Sequence, residues 1–188
     1  KSEEHEKYEG KTIEEIADAM GADPWDAVCD LLIKSNGIGS LVLLHLRYIE
    51  GVYNAYRHPA MMVGSDGRVA ASYGVLNKRG HPRWYGTYPR VLGRYVREMK
   101  LITLQDAIRR MTSFPAQRML IRDRGVLREG MWADIAVFNP ETVIDMATYI
   151  SPQLYPVGIE YVIVNGQVTI EEGEHTGALA GRVLRYKR

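Results

Sequence analysis

Cysteine is nearly absent from this sequence of 188 residues, which contains only Cys29. A single cysteine can form neither a disulfide within the chain nor a cysteine-based zinc cluster. Cys29 falls on the apolar side of a predicted helix, so we expect it to be buried as a small hydrophobic side chain. This cysteine usage is typical of a reducing, cytoplasmic setting.

Long hydrophobic runs and an excess of charge of one sign are also missing. No apolar stretch approaches the roughly 20 residues that a membrane-spanning helix needs, and no signal-peptide pattern opens the chain, so the sequence predicts no membrane partner. The formal net charge is +1. Arginines between Arg83 and Arg97 alternate with aromatic residues, but this short segment has the pattern of an amphipathic helix, and we predict no nucleic-acid partner.

Local signals in the first part of the chain predict several helices. Thr12 and Glu15 form a capping box before a helix that Gly21 ends. A second helix starts at Asp23-Pro24, and another covers residues 49–56. Further on, we expect Pro89 to open a helix. Thr103 with Asp106 resembles a second capping box and predicts one more helix, and Pro115 predicts a last helical turn.

Two apolar segments in this part, residues 38–46 and 61–63, read as buried strands of an α/β arrangement. From Asp123 onward the sequence instead predicts short strands at 133–138, 161–164 and 167–170. Asn165-Gly166 lies between the last two and is a strong hairpin signal. We therefore divide the chain into an α/β portion, residues 1–122, and a β-rich portion, residues 123–188.

The turn Gly64-Ser65-Asp66-Gly67 is the strongest functional signal. It places a carboxylate directly after a predicted strand, and the glycines allow a sharp turn and a close approach of the backbone to a ligand. Barrel enzymes hold catalytic residues in such loops. The alternative is an ordinary turn, because serine, aspartate and glycine favour turns for local reasons.

Two stretches resemble a known family. The first comprises Pro115-Ala116, Asp123-Arg124-Gly125, Gly130, Ala133-Asp134-Ile135-Ala136-Val137 and Val164-Asn165-Gly166. It is similar to the C-terminal signature of the amidohydrolase superfamily. The second joins the Asp66 turn to the segment that runs from His81-Pro82-Arg83 to Tyr95, and it resembles the D-aminoacylase (N-acyl-D-amino-acid deacylase) branch. The resemblance implies an α/β fold, the C-terminal part of a (β/α)8 TIM-like barrel followed by a small antiparallel β-sandwich segment.

The resemblance also implies roles for three residues. Asp66 would be both the catalytic residue and a metal ligand, accepting a proton from zinc-bound water and passing it to the leaving nitrogen. Arg83 would bind the free α-carboxylate of an N-acyl amino acid, which suits its planar guanidinium group. His81 would orient Arg83 or contact the substrate, or it packs in the loop. His58 is expected to be structural.

The sequence departs from the family pattern at the metal site. It has no His-x-His pair, and none of the five histidines matches the family's metal-ligating positions. His45 could be a ligand or a structural residue. We therefore expect the zinc ligands and much of the pocket to lie upstream of Lys1, in another part of the same enzyme, and the isolated chain to be inactive. Strands exposed at 38–46 would then favour homo-oligomers. Two alternatives stay open, namely a non-catalytic assembly module and a cyclic amidase of the dihydroorotase or hydantoinase type.

Overall fold

The structure is a computed structural model that describes residues 6–37, 49–77 and 80–185. The chain divides into two compact units, Lys1–Tyr48 and Ile49–Arg188. The strand predicted at residues 38–46, the interpretation of His45 and the oligomerisation expected from that strand lie outside the described residues. No described helix is long and apolar enough to cross a membrane.

The first unit contains, among its described residues, the helices α1 (Ile13–Met20) and α2 (Pro24–Lys34). The predicted capping box is present, because the Thr12 hydroxyl accepts from Glu15 N–H while the Glu15 carboxylate accepts from Thr12 N–H. The prediction of a buried Cys29 is wrong. Its side chain is exposed, because Ala27 is the residue that α2 buries completely.

The second unit begins with a helical part. Its helices are α3 (Ile49–Arg57), α4 (Arg83–Arg90), a π-helical segment (Val91–Glu98), α5 (Leu104–Met111) and α6 (Ser113–Arg118), with a 3₁₀ turn at Gly74–Leu76. The Thr103 hydroxyl caps α5 by accepting from Asp106 N–H at 3.2 Å, but the predicted capping box is not formed, because the Asp106 carboxylate pairs with Arg109 and Arg110.

Pro89 does not open a helix, contrary to our expectation. Helix α4 starts six residues earlier, at Arg83, and Pro89 lies inside it. Proline has no N–H to donate to the carbonyl four residues back, and its ring crowds that carbonyl. The chain continues from Val91 as the wider π-helical segment, which absorbs this disruption.

Residues 61–63 do not form the predicted strand. These residues belong to no helix or strand, and the backbone N–H of Val63 donates to the carbonyl of Arg110, at the end of α5, at 3.2 Å. A strand requires a neighbouring strand, and the described residues provide a helix end at this position. The segment nevertheless leads into the Asp66 turn.

The β-rich part forms one antiparallel sheet. Its strands β1 (Ile135–Phe138), β2 (Ile159–Val164), β3 (Gln167–Glu171) and β4 (Glu174–His175) neighbour one another in chain order. The predicted hairpin at Asn165-Gly166 is confirmed, because both residues have positive φ, 51° and 82°, between β2 and β3. A second sheet, which a sandwich needs, is not among the described residues.

Three of the segments that carry the superfamily resemblance meet in one polar cluster. Arg124, only 10% exposed, bonds to the side chains of Asp134 and Asn165. Asp134 in turn accepts from the backbone N–H of Asn165 at 2.8 Å, and the Asn165 amide donates to the carbonyl of Ala180 at 2.6 Å. This part of the signature therefore holds the sheet to the segments before and after it.

The hydrophobic core of the second unit joins its helical and β-rich parts. Val91, Leu92, Ile102, Ala107 and Val143 are buried together. Arg97 reinforces this contact by donating to the carbonyl of Val143 at 2.7 Å. The division at 122/123 stays a prediction.

Candidate functional site

Asp66 lies at the tip of the glycine-flanked turn, with its carboxylate 84% exposed. Its φ of 45° is left-handed, a conformation that aspartate adopts more readily than most residues. The Ser65 hydroxyl accepts from the backbone N–H of Gly67 at 3.2 Å and closes the turn. The local geometry therefore presents the carboxylate outward, where a ligand can reach it.

Arg83, the first residue of α4, holds Asp66 by two of its nitrogen atoms. Nη2 lies 2.7 Å from Asp66 Oδ2, and Nε donates to the backbone carbonyl of Asp66 at 3.1 Å. A guanidinium group has five N–H donors, so this pairing leaves others free for a second anion. The structure thus brings together the predicted catalytic residue and the predicted carboxylate-binding residue.

His81 completes this group through the backbone of Arg83. The Arg83 N–H donates to His81 Nδ1 at 3.1 Å, and the imidazole ring lies edge-on to Tyr149 with 5.1 Å between ring centroids. Burial, helped by the positive charge of Arg83 and opposed by Asp66, lowers the pKa of His81. A neutral imidazole suits this arrangement, because Nδ1 must be unprotonated to accept a hydrogen bond.

The segment around Gln153 forms hydrogen bonds with the loop between Asp66 and His81. The Gln153 amide donates to Asn77 Oδ1 at 2.7 Å and to the Ala71 carbonyl at 3.4 Å. The Tyr155 hydroxyl accepts from Ser72 N–H at 3.4 Å. The Tyr155 ring also lies edge-on to Tyr85 of α4, with centroids 5.4 Å apart. Burial raises the pKa of Tyr85.

Arg110 of α5 fixes the segment that leads to the Asp66 turn. Its side chain is 3% exposed and pairs with Asp106, with Nη2 and Oδ2 2.6 Å apart. Nη1 donates to the carbonyls of Tyr56 and His58 at 2.7 and 2.8 Å. The Arg110 carbonyl accepts from Val63 N–H, so one residue contacts this segment at three points. Burial and Tyr95 raise the pKa of Tyr56 to about 12, opposed by Arg90.

The metal-binding capacity of this site can be judged from its donors. Among the described residues, no three His, Cys, Asp or Glu side chains lie together in a way that could hold a metal ion. Asp66 offers one carboxylate, whereas catalytic zinc takes about three protein ligands. Asp66 can thus be one ligand, but the described part of the chain does not form a metal site on its own.

Asp66, Arg83 and His81 were predicted from the sequence as site residues, and the structure brings them together, but the residues that support them were not predicted. Gln153 and Tyr155 are separated by 76 and 83 residues from the side chains they contact, Asn77 and Ser72. No local pattern signals such contacts. Arg110 could have been suspected, because an arginine on the apolar side of a predicted helix needs a buried partner.

Comparison with known proteins shows consistent similarities. The profile of the amidohydrolase family matches residues 45–170. An N-acyl-D-glutamate deacylase of Alcaligenes xylosoxydans xylosoxydans is 36% identical over 182 residues, which cover 96% of this chain and 34% of that protein. The chain therefore spans about a third of the length of this curated relative.

Two solved structures also resemble the chain. One is an N-acyl-D-glutamate deacylase from Bordetella bronchiseptica in complex with zinc and a phosphonate inhibitor. It is 37% identical with a TM-score of 0.65, covering 88% of this chain and 32% of that one. The other is a D-aminoacylase, which is 33% identical with a TM-score of 0.73; the match covers 96% of this chain and 35% of that one. These neighbours indicate an α/β fold of the TIM-barrel type.

Proposed function

The chain belongs to the amidohydrolase family, and on this premise we propose that it carries part of the active site of a metal-dependent amidohydrolase. The proposed reaction is hydrolysis of the amide bond of N-acyl-D-amino acids. The names of the similar proteins, N-acyl-D-glutamate deacylase and D-aminoacylase, support this substrate class. They favour it over a cyclic amidase or a non-catalytic module.

The observation that carries the proposal is the Asp66–Arg83 pair. The carboxylate is exposed and held at 2.7 Å by a guanidinium group that itself is 42% exposed. Amide hydrolysis of an N-acyl amino acid needs a proton carrier near the scissile bond and a cation for the substrate's carboxylate. Both groups are present here, side by side and open to solvent.

Asp66 is the proposed proton carrier. Its carboxylate accepts a proton from the attacking water and delivers it to the leaving nitrogen, which departs poorly unless protonated. A divalent metal, proposed to be zinc with Asp66 as one ligand, would polarise the acyl carbonyl and lower the pKa of water. We propose that its other ligands lie on a preceding part of the same polypeptide, since the chain covers only about a third of its relatives.

Arg83 is the proposed anchor for the substrate's α-carboxylate. Its free N–H groups can form a bidentate pair with a planar carboxylate, which a lysine ammonium cannot do. A substrate carboxylate bound by these free groups would share the guanidinium group with Asp66, so that the substrate lies next to the proposed proton carrier. His81 positions Arg83 through the hydrogen bond to its backbone.

Variants of the full-length protein test this assignment. Arg83→Lys is compared with Arg94→Lys, a control at an exposed arginine whose described ion pair is with Glu98 at 3.9 Å. The substrates are N-acetyl-D-leucine and N-acetyl-D-leucinamide, which differ only at the α-carboxylate.

We expect Arg83→Lys to lower kcat/KM for the acid by about 10- to 100-fold, which corresponds to the free energy of one charge-assisted hydrogen bond. The amide should change by less than about threefold, and the control should leave both unchanged. Equal losses for the acid and the amide would contradict the role of Arg83. A native protein that hydrolyses no N-acyl-D-amino acid would contradict the proposed function as a whole.

A further inference from the structure

Arg68 carries a second guanidinium group in the loop that contains Asp66. It lies two residues after Asp66, in the same loop, and its side chain is exposed. Its Cζ atom lies 5.9 Å from the centre of the Trp84 ring, within the range of a cation–π contact. Trp84 follows Arg83 directly in α4. Arg68 therefore contacts the helix residue next to Arg83.

The Trp84 ring is a fixed platform for Arg68. The backbone of Gly80 lies directly against it, since a Cβ atom added at Gly80 would come within 2.2 Å of Trp84 Cζ3. A Cβ atom at Gly67 would be 3.6 Å from Trp84 Cα, so the Asp66 turn also packs close to this residue. Gly80 therefore packs against the indole and Gly67 against the backbone of the same residue, so the loop that carries Arg68 is in contact with Trp84 at both places.

The charge of Arg68 has no acidic partner in the described part of the chain, where its guanidinium contacts the Trp84 ring. Arg83, by contrast, is paired with Asp66. Two guanidinium groups and one carboxylate leave this side of the loop with a net positive charge. A guanidinium held on an aromatic ring keeps its N–H edges free for an anion.

We propose that Arg68 is a specificity-determining residue that binds a second carboxylate of the substrate. In this arrangement Arg83 binds the α-carboxylate and Arg68 binds an acidic side chain. The preferred substrates are then N-acyl derivatives of dicarboxylic amino acids. This proposal rests on the proposed function, and it adds which members of the substrate class are selected and by which residue.

The test compares N-acetyl-D-glutamate with N-acetyl-D-glutamine, which has nearly the same shape without the side-chain charge. The full-length native protein is compared with Arg68→Met and with Arg128→Met. Arg128 is an exposed arginine on the turn before the antiparallel sheet, and its loss removes the same charge. The quantity measured is the ratio of kcat/KM for the two substrates.

We expect the native protein to prefer the glutamate substrate and Arg68→Met to lower this ratio about fivefold, the effect of one solvent-exposed ion pair. Turnover of the glutamine substrate should not change, and Arg128→Met should keep the native ratio. A ratio that Arg68→Met leaves unchanged, or a preference of the native protein for glutamine, would overturn the assignment of Arg68 while leaving the proposed function intact. No turnover of any N-acyl-D-amino acid by the native protein would overturn both.

Discussion

Replacement of Arg110 by methionine should destabilise the protein strongly, because this arginine is a buried cation with several partners. Methionine keeps much of the aliphatic volume but removes the pair with Asp106 and both hydrogen bonds to the carbonyls of Tyr56 and His58. Those groups then lack their partner in a site where Arg110 is only 3% exposed. The structure therefore predicts a loss well above that of a surface substitution.

The size of the loss follows from the partners that remain. Breaking a buried ion pair costs about 3–5 kcal/mol. Asp106 is 30% exposed and keeps its ion pair with Arg109 at 3.3 Å. The remaining pair reduces the loss of stability. We therefore expect a loss of about 3 kcal/mol in the free energy of unfolding. Arg109→Met is the matched control, since Arg109 is 43% exposed and pairs with the same carboxylate. It should cost about 1 kcal/mol or less.

The loss should also depend on pH. The hydrogen bond from Arg110 is the main cause that lowers the pKa of Asp106, with a further contribution from Arg109. A lowered pKa in the folded state means that the pair stabilises fully above the unfolded pKa of about 3.9 and is lost as pH falls through the lower folded value. The difference between native protein and Arg110→Met should therefore shrink below about pH 4.

Urea unfolding of the native protein and both variants, at neutral pH and at successively lower pH, measures these differences. Equal losses for Arg109→Met and Arg110→Met at neutral pH would refute the reasoning, since the two residues share a partner and differ in burial. A loss for Arg110→Met below about 1 kcal/mol would refute it as well, because surface pairs reach that value.

Two further substitutions test the β-rich part by urea unfolding. Gly158 has a φ of 78°, and a Cβ atom there would come within 2.5 Å of Val143 N, so Gly158→Ala should cost about 3 kcal/mol. Gly166→Ala is the control, because Gly166 has a φ of 82° but a Cβ atom there would meet no atom within 4 Å. It should cost about 1 kcal/mol. Similar losses of stability for both variants would contradict the predicted clash at Gly158. Arg124→Met should cost about 2 kcal/mol by breaking the cluster with Asp134 and Asn165, and an unchanged midpoint would show that this cluster does not hold the sheet.

The features that the sequence predicted well are those encoded by neighbouring residues. The caps at Thr12, Asp23 and Thr103 each involve a backbone N–H two or three residues away, and all three are present. The hairpin at Asn165-Gly166 likewise depends on two residues that tolerate positive φ. Such signals do not require knowledge of the rest of the fold.

The features that were missed depend on distant or missing neighbours. Residues 61–63 have a strand-like composition, but Val63 meets the end of a helix instead of another strand. Pro89 resembled a helix start because proline is common there, while the true start at Arg83 has no side-chain cap in the usual position. At the site, residue types suggested Asp66 and Arg83, but their direct pairing became visible only in the structure.

The central claim is that the Asp66 carboxylate carries a proton to the leaving nitrogen. The measurement that tests it most directly compares Asp66→Asn with the native full-length protein on an N-acyl-D-amino acid and on the matching ester, in which oxygen replaces the leaving nitrogen. Because the side chain is 84% exposed and its ion pair with Arg83 lies at the surface, the substitution should change the free energy of unfolding by about 1 kcal/mol or less.

We predict that kcat for the amide falls by about 10²- to 10⁴-fold, the range of general acid–base catalysis. The loss for the ester should be smaller but not absent, since ester hydrolysis still needs Asp66 to accept the proton of the attacking water, whereas an alkoxide leaving group depends less on protonation than an amine does. A kcat for the amide within about threefold of the native value, or equal losses for amide and ester, would contradict the role of Asp66 as the proton carrier.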